Sequence, residues 1–206
     1  MTAPATPTRP RVRIRTCLAL LLLVALAGAR ATLAAGTTGI PAPDSSVTTI
    51  ILVHHAERDT TLIGPDHPLR AVGVLRAQAL VHTLGASGIS AIYVTPWLRN
   101  RQTALPLATA LGESLTVVDE IAETVHRLRT RHFGRTVLVV GHSNTVPEII
   151  TALTGRPFPT PGRVAYDGMW VVSLARDGRA SLVTLRYGAP ADGAPERHAQ
   201  PTLPGR

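Results

Sequence analysis

Thr136-Val137-Leu138-Val139-Val140-Gly141, followed at once by His142, is the stretch that decides how this chain folds. It is apolar at nearly every position instead of alternating with polar residues, the pattern of a parallel strand covered on both faces. A second run of the same kind, Thr48-Thr49-Ile50-Ile51-Leu52-Val53, leads into His54 and His55. Strands buried on both faces need helices on both sides. The chain therefore predicts an α/β three-layer sandwich, a mostly parallel sheet with helices on both faces. In an open sheet of this kind ligands sit in the crevice outside the carboxyl ends of the strands, and two histidines just past two strand ends can converge there.

The remaining elements follow outward from these two runs. After the first comes a loop with His55, Glu57 and Arg58, then a helix over about residues 70–85 with Leu75, Ala79, Leu80 and Leu84 at helical spacing. A strand over about 90–94 leads through Thr95-Pro96 to a helix over about 97–111 that ends at Gly112. Another helix, over about 119–133, carries Ile121, Val125 and Leu128 on one face and stops at Gly134. Beyond the second run, His142 to Thr145 reads as a turn and Val146 to Thr154 as a short helix, with Pro147 tolerated in its first turn and Gly155 past its end. Met169 to Leu174 and Ser181 to Tyr187 read as strands joined through Asp177-Gly178, a hairpin signal that gives the parallel sheet an antiparallel edge.

The flanking segments have different chemistry. Met1 to Thr16 carries Arg9, Arg11, Arg13 and Arg15 without an acid, and the apolar run Cys17 to Ala27 follows, with small residues suited to cleavage after Ala29, Ala31 or Ala35. A basic start, a short apolar stretch and a small-residue exit form the pattern of a secretory signal. Arg30 closes the uncharged stretch short of the roughly 20 residues a spanning helix needs, so contact with a membrane is expected only through an uncleaved signal segment. The expected organisation is a signal peptide over 1–35, a linker over 36–45, one domain over 46–187 and a disordered Pro- and Gly-rich tail over 188–206. The protein would then be exported, periplasmic or secreted.

Cys17 is the single cysteine, so the domain itself has neither disulfides nor thiolate chemistry. The 21 basic residues are all arginine, giving a formal charge of +8. Five of them precede Ala35, where there is no acid, which leaves +3 for the rest. With no arginine run interleaved with aromatics, that modest charge excludes nucleic acid as an expected partner.

Three motifs in order carry a family resemblance. Val53-His54-His55-Ala56-Glu57, then Thr95-Pro96-Trp97-Leu98-Arg99-Asn100-Arg101-Gln102-Thr103-Ala104, then Val140-Gly141-His142-Ser143-Asn144-Thr145-Val146-Pro147 resemble the histidine phosphatase superfamily, the phosphoglycerate-mutase-like fold. His67-Pro68-Leu69, Gly73 and Arg76-Ala77-Gln78 resemble the approach to that family's first helix. The resemblance implies phosphoryl transfer from a small phosphorylated substrate through a phosphohistidine. His55 would be the nucleophile, Arg99 a phosphate clamp and His142 a second contact to the same phosphate. It implies no cofactor and no metal. The physical logic agrees, because an imidazole attacks phosphorus only when unprotonated, and charge on the phosphoryl oxygens must be met by fixed donors.

One departure stands out. The family normally has arginine immediately before the nucleophile, and here that position is His54. Arginine binds phosphate as a planar, permanently charged fork, whereas histidine offers at most two divergent donors and titrates near neutrality. His54 either binds phosphate as a cation at mildly acidic pH or weakens the site into a binder. For the general acid the candidates are Asp119, Glu120 and Glu123, with Glu120 taken as the acid. Their competing role is to favour a helix N-terminus. Ser143 and Asn144 are expected to face the substrate anion, with helix capping as their alternative. Glu57 is expected to orient the loop or pair with Arg58, and Arg101 to lie on the surface.

Other chemistries fit poorly. Gly141-His142-Ser143-Asn144-Thr145 is similar to a serine-hydrolase elbow, but Thr145 stands where the second glycine belongs. Adjacent His54 and His55 would point to opposite faces of an extended chain, which argues against a shared metal.

Overall fold

Val47–His54 (β1) and Thr136–Gly141 (β4) form the centre of the sheet, side by side and parallel, with Thr49 opposite Thr136 and His54 opposite Gly141. The computed structural model describes residues 46–64, 66–160 and 165–191. In chain order its other elements are α1 (Ala71–Leu84), β2 (Ile89–Val94), α2 (Leu98–Leu111), β3 (Leu115–Val117), α3 (Ile121–Arg131), α4 (Thr145–Thr154), β5 (Gly168–Ala175) and β6 (Ala180–Arg186). The strands form one sheet in the order β3-β2-β4-β1-β5-β6. β3, β2, β4 and β1 run parallel, while β5 and β6 are antiparallel to their neighbours. This is the expected α/β sheet with an antiparallel edge.

The two apolar runs fill both layers between sheet and helices. Ile50, Leu52, Val137 and Val139 pack with Leu128, Ile149, Ile150 and Leu153 of α3 and α4. Ile51, Val53, Leu138 and Val140 pack on the other side with Leu80, Leu84, Ala104 and Leu107 of α1 and α2. Alternate residues of one strand thus serve opposite cores, which is why neither run alternates with polar residues. Among the described residues no helix is long and apolar enough to cross a membrane.

Three details differ from the sequence reading. α1 turns Gly73, Arg76, Ala77, Leu80 and Leu84 inward, while Leu75 is 65% exposed and Ala79 only partly covered. A glycine and an arginine hold core positions because the nucleophile loop crosses there, so apolar spacing found Leu80 and Leu84 but misplaced Leu75 and missed Gly73 and Arg76. α3 ends at Arg131, with His132 at its C-terminal boundary, three residues before Gly134. β3 was not anticipated: its three residues, Leu-Thr-Val, are too short for a periodic signal. The signal peptide, the linker and the tail from residue 192 lie outside the described residues. Before that point Ala189 is tied to the domain, its carbonyl accepting from Arg76 Nη1 at 2.8 Å.

Candidate active site

The register of β1 against β4 sets the site. His54 lies opposite Gly141, and the His55 N–H donates to the Gly141 carbonyl at 3.0 Å, so His55 and His142 leave the sheet side by side. Gly141 is required there, since a Cβ would stand 2.7 Å from Thr145 Oγ1 and 2.9 Å from Val146 Cγ2, blocking the approach of α4. The His142 N–H donates to Thr145 Oγ1 at 2.8 Å and closes the turn.

The second motif works as a bracket that holds both histidine loops. Asn100, wholly buried, donates through Nδ2 to the carbonyls of Val140 and Gly141 at 3.0 and 3.1 Å. Thr103 Oγ1 accepts from the Ala56 N–H at 2.9 Å and donates to the Arg99 carbonyl at 2.7 Å. Gln102 Oε1 accepts from the Leu69 N–H at 2.8 Å. Arg101, between them, is exposed, as expected. Helical spacing therefore sends Asn100 and Thr103 inward and Arg99 to the cavity.

Proton positions on His55 follow from its partners, because a carbonyl only accepts and a guanidinium only donates. Nδ1–H donates to the Ala56 carbonyl at 2.8 Å, and Nε2 accepts from Arg99 Nε at 3.1 Å. The ring is neutral and its Nε2 lone pair faces the arginine. The His142 ring stands edge-on at 5.2 Å between centroids, with Nε2 hydrogen-bonded to the Thr95 hydroxyl at 2.9 Å. Burial pushes all three imidazoles below their ordinary range, His55 to about 2 and His54 and His142 to about 4. The guanidinium charge of Arg99 adds to this on all three rings, and His54 and His55 each disfavour protonation of the other.

His54 and His55 do not diverge as neighbours on an ideal strand would. Their ring centroids are 4.0 Å apart, because β1 ends at His54 and the chain turns there. Even so, no group of three or more potential metal ligands occurs among the described residues. His54 Nδ1–H donates to the His55 carbonyl at 2.6 Å, leaving its Nε2 as a lone pair as well. Burial thus opposes the cationic His54 that mildly acidic pH was expected to give.

A cavity of about 760 Å³ gathers His54, His55, Arg99, Glu120, His142, Ser143 and Asn144, and with them Asp119. Glu123 is not part of its lining and pairs with Arg127 at 2.5 Å instead. Glu120 and Asn144 hold the N-terminal boundary positions of α3 and α4, but neither side chain makes a capping hydrogen bond. Both are exposed at the cavity, and Thr145 and Glu148 in the first turn of α4 line it as well. Arg99 has a buried Nη1 with no partner, and its guanidinium lies 4.7 Å over the Trp97 ring.

Sequence reasoning missed Arg58, Thr95, Trp97, Glu148 and Tyr166, which also line the cavity. Thr95 and Trp97 belonged to a quoted motif, but Tyr166 had no local signal. The expected Glu57–Arg58 pairing is incorrect. Glu57 turns inward and takes a two-pronged bond from Arg76, from Nε at 3.1 and 3.0 Å and from Nη2 at 2.7 Å. Arg76 lies 19 positions further along, on the inner face of α1, and charge adjacency in sequence could not disclose that contact.

Comparison with known proteins gives the same fold. The family model described as histidine phosphatase superfamily (branch 1) matches residues 50–125, a span that includes His55 and Arg99 and ends before His142. No curated protein matches the chain. Among solved structures, the protein histidine phosphatase SixA complexed with tungstate aligns with a TM-score of 0.58 at 19% identity, covering 67% of this chain and 96% of that one. A mycobacterial glucosyl-3-phosphoglycerate phosphatase aligns at 0.52 and 14% identity, covering 68% and 99%. A phosphoglycerate mutase from Plasmodium falciparum aligns at 0.53 and 17% identity, covering 72% and 97%. At these identities the likeness establishes the fold, and the resemblance read from the three motifs holds at that level.

Proposed function

We propose that this protein is an exported, metal-independent phosphatase that hydrolyses phosphomonoesters through a phosphohistidine on His55. The observation that carries the reading is the state of His55: Nδ1–H is committed to the Ala56 carbonyl, so the lone pair is on Nε2, beside Arg99. Nε2 attacks phosphorus and the bond from phosphorus to the ester oxygen breaks. Glu120, on the cavity wall, hands a proton to the departing oxygen. Water then attacks the phosphohistidine as it gives a proton back to the Glu120 carboxylate, the bond from phosphorus to Nε2 breaks, inorganic phosphate leaves and neutral His55 returns. Arg99, with a buried donor still unpaired, and the N-terminus of α4 meet the charge on the phosphoryl oxygens, with His142, Ser143 and Asn144 around them.

The phosphatase class is supported at a coarse level by the family match and by the kinds of protein that share the fold. Export rests on the basic and apolar pattern of residues 1–35. The direct test is hydrolysis of an aryl phosphate from pH 4 to 8 with chelator present, beside His55→Ala. Turnover and an acid-labile phosphoenzyme should both vanish in the variant, and turnover that survives it rules out His55 as the nucleophile.

A second reading, a phosphate- or phosphoprotein-binding member of the same fold with little turnover, is favoured by one observation. His54 stands where a fixed cation belongs and is held neutral by burial. Wild-type protein that binds a phosphorylated ligand without turning it over would select it.

A further inference from the structure

The end of the sheet opposite the cavity carries a second surface of different chemistry. β1 runs from Val47 to His54, so at about 3.3 Å per residue the site and the start of the strand are roughly 25 Å apart. At the starting end the loop between α3 and β4 is fixed in place. The Thr49 N–H donates to the Arg135 carbonyl at 2.9 Å, and the His132 carbonyl accepts from the Thr48 hydroxyl and the Arg135 N–H, both at 3.0 Å. The hairpin between β5 and β6 joins this loop. The Arg176 N–H donates to the Ser46 carbonyl at 3.2 Å, and the Arg176 guanidinium lies 4.7 Å over the Phe133 ring.

Phe133 is 40% exposed, and Arg131, Arg135 and Arg176 are exposed with it. None of the three arginines has an ion pair among the described residues. The carboxylates nearest to them along the chain, Glu123 and Asp177, are paired with Arg127 and Arg179. Asp44, two residues before Ser46, lies outside the described residues. Burial, and after it the charges of Arg135 and Arg131, push the His132 imidazole below its ordinary range, so uncompensated positive charge is felt at this end of the domain.

We propose that this face docks the domain on a bilayer of anionic lipids, with Phe133 entering the headgroup layer and Arg131, Arg135 and Arg176 facing the lipid phosphates. Two observations favour a bilayer over another acidic partner. The chain enters the domain at this face, through Ser46, and only residues 30–45 separate it from the uncharged apolar run Cys17 to Ala29. A flexible segment of that length spans roughly 22 Å, so a bilayer that takes up the apolar run during export lies within reach of the face. An aromatic ring set among arginines also suits the boundary between headgroups and acyl chains, where the ring meets the apolar layer and the guanidinium groups the phosphates. Docked in this way, the cavity at the other end of β1 opens away from the membrane, toward phosphate esters in solution.

The test reads position 133 directly in the full chain. Phe133→Cys in a Cys17→Ser background carries an environment-sensitive fluorophore, and Ala122→Cys, on the rim of the cavity, carries it in a control. On vesicles of phosphatidylglycerol and phosphatidylcholine in equal parts the label at 133 should shift to the blue. On phosphatidylcholine alone it should not, and the label at 122 should stay in water on both. Arg131→Gln/Arg135→Gln/Arg176→Gln should raise the lipid concentration at half-shift about a hundredfold, or about fivefold per arginine, with circular dichroism confirming the fold. Raised salt should weaken the shift in the same direction, since the charges are exposed. Where the triple variant does not fold, the two lipid compositions and the salt dependence decide alone. A label at 133 that stays in water on the anionic vesicles, shifts equally on neutral ones, or ignores both salt and the triple variant overturns the proposal. So does a label at 122 that shifts as much as the one at 133, or duplex DNA that shifts position 133 as strongly as the vesicles do.

Discussion

Acidifying the protein from pH 7 to pH 5 should cost it about 4 kcal/mol of folding stability through His54 and His55 alone, by proton linkage. Both rings are 5% exposed and lie below pKa 6.5, at about 4 and about 2, so neither gains a proton in the folded state over this interval. In the unfolded chain each titrates at 6.5. The unfolded state therefore binds more protons below pH 6.5, and stability falls as pH falls. Each unfolded imidazole gains a factor of roughly 25 in its binding polynomial between the two pH values, or about 2 kcal/mol. The result needs only folded pKa values at or below about 4, and not their exact sizes. Against a typical total of roughly 5–15 kcal/mol the loss is large. Urea denaturation at pH 7, 6 and 5 measures it, with His54→Gln/His55→Gln as the control whose pH dependence should shrink by about the same 4 kcal/mol. Wild-type stability that is level or rising toward pH 5, or a double variant as acid-sensitive as wild type, would refute the buried neutral pair. With it would fall the explanation of why His55 Nε2 carries a lone pair instead of a proton.

The same burial should hold the ring resonances of His54, His55 and His142 constant from pH 8 to pH 5 in an NMR titration; a midpoint near 6.5 for His55 contradicts the assigned neutral ring. Gly73→Ala should cost about 1–3 kcal/mol, since its methyl would run into the Glu57 carbonyl. It should also lower kcat by displacing the loop that carries His55, and full activity at unchanged stability would show that the loop yields freely. Thr103→Val should cost about 1–3 kcal/mol by leaving the Ala56 N–H unpaired, with Thr103→Ser close to wild type in the same urea measurement.

The layers of the fold were legible because both central strands feed two cores at once. Ile50 and Leu52 face one helical layer and Ile51 and Val53 the other, so β1 had to be apolar throughout, and β4 for the same reason. α2 and α4 end at Gly112 and Gly155, both left-handed, where local chemistry marks the stop. α1 was read correctly at Leu80 and Leu84 and wrongly at Leu75, because the first half of its buried face is not set by hydrophobicity. Gly73 is there to make room for the Glu57 backbone and Arg76 to hold the Glu57 carboxylate. A stretch of helix that serves a loop carries the loop's requirements, and a scale of apolar spacing does not register them.

The site was legible to the extent that its residues come from strand ends and one helix turn. His55 and His142 meet because β1 and β4 are neighbours in register, which the strand pattern already required. Arg99 reaches His55 because Asn100 and Thr103, one and four residues on, lock α2 against the ends of those strands. The partner of Glu57, by contrast, depended on a charge 19 residues away that sits on the inner face of α1. Pairing Glu57 with Arg58 was the natural choice when only neighbours are visible, and it hid the consequence that matters chemically. Once Arg76 takes the Glu57 carboxylate, Arg58 lines the cavity without an ion pair among the described residues, in a site where position 54 is a histidine held neutral by burial. The substitution at position 54 and the inward turn of Glu57 therefore need to be read together. Each alone weakens an expectation, and jointly they leave Arg58 and Arg99 as the arginines that line the cavity among the described residues.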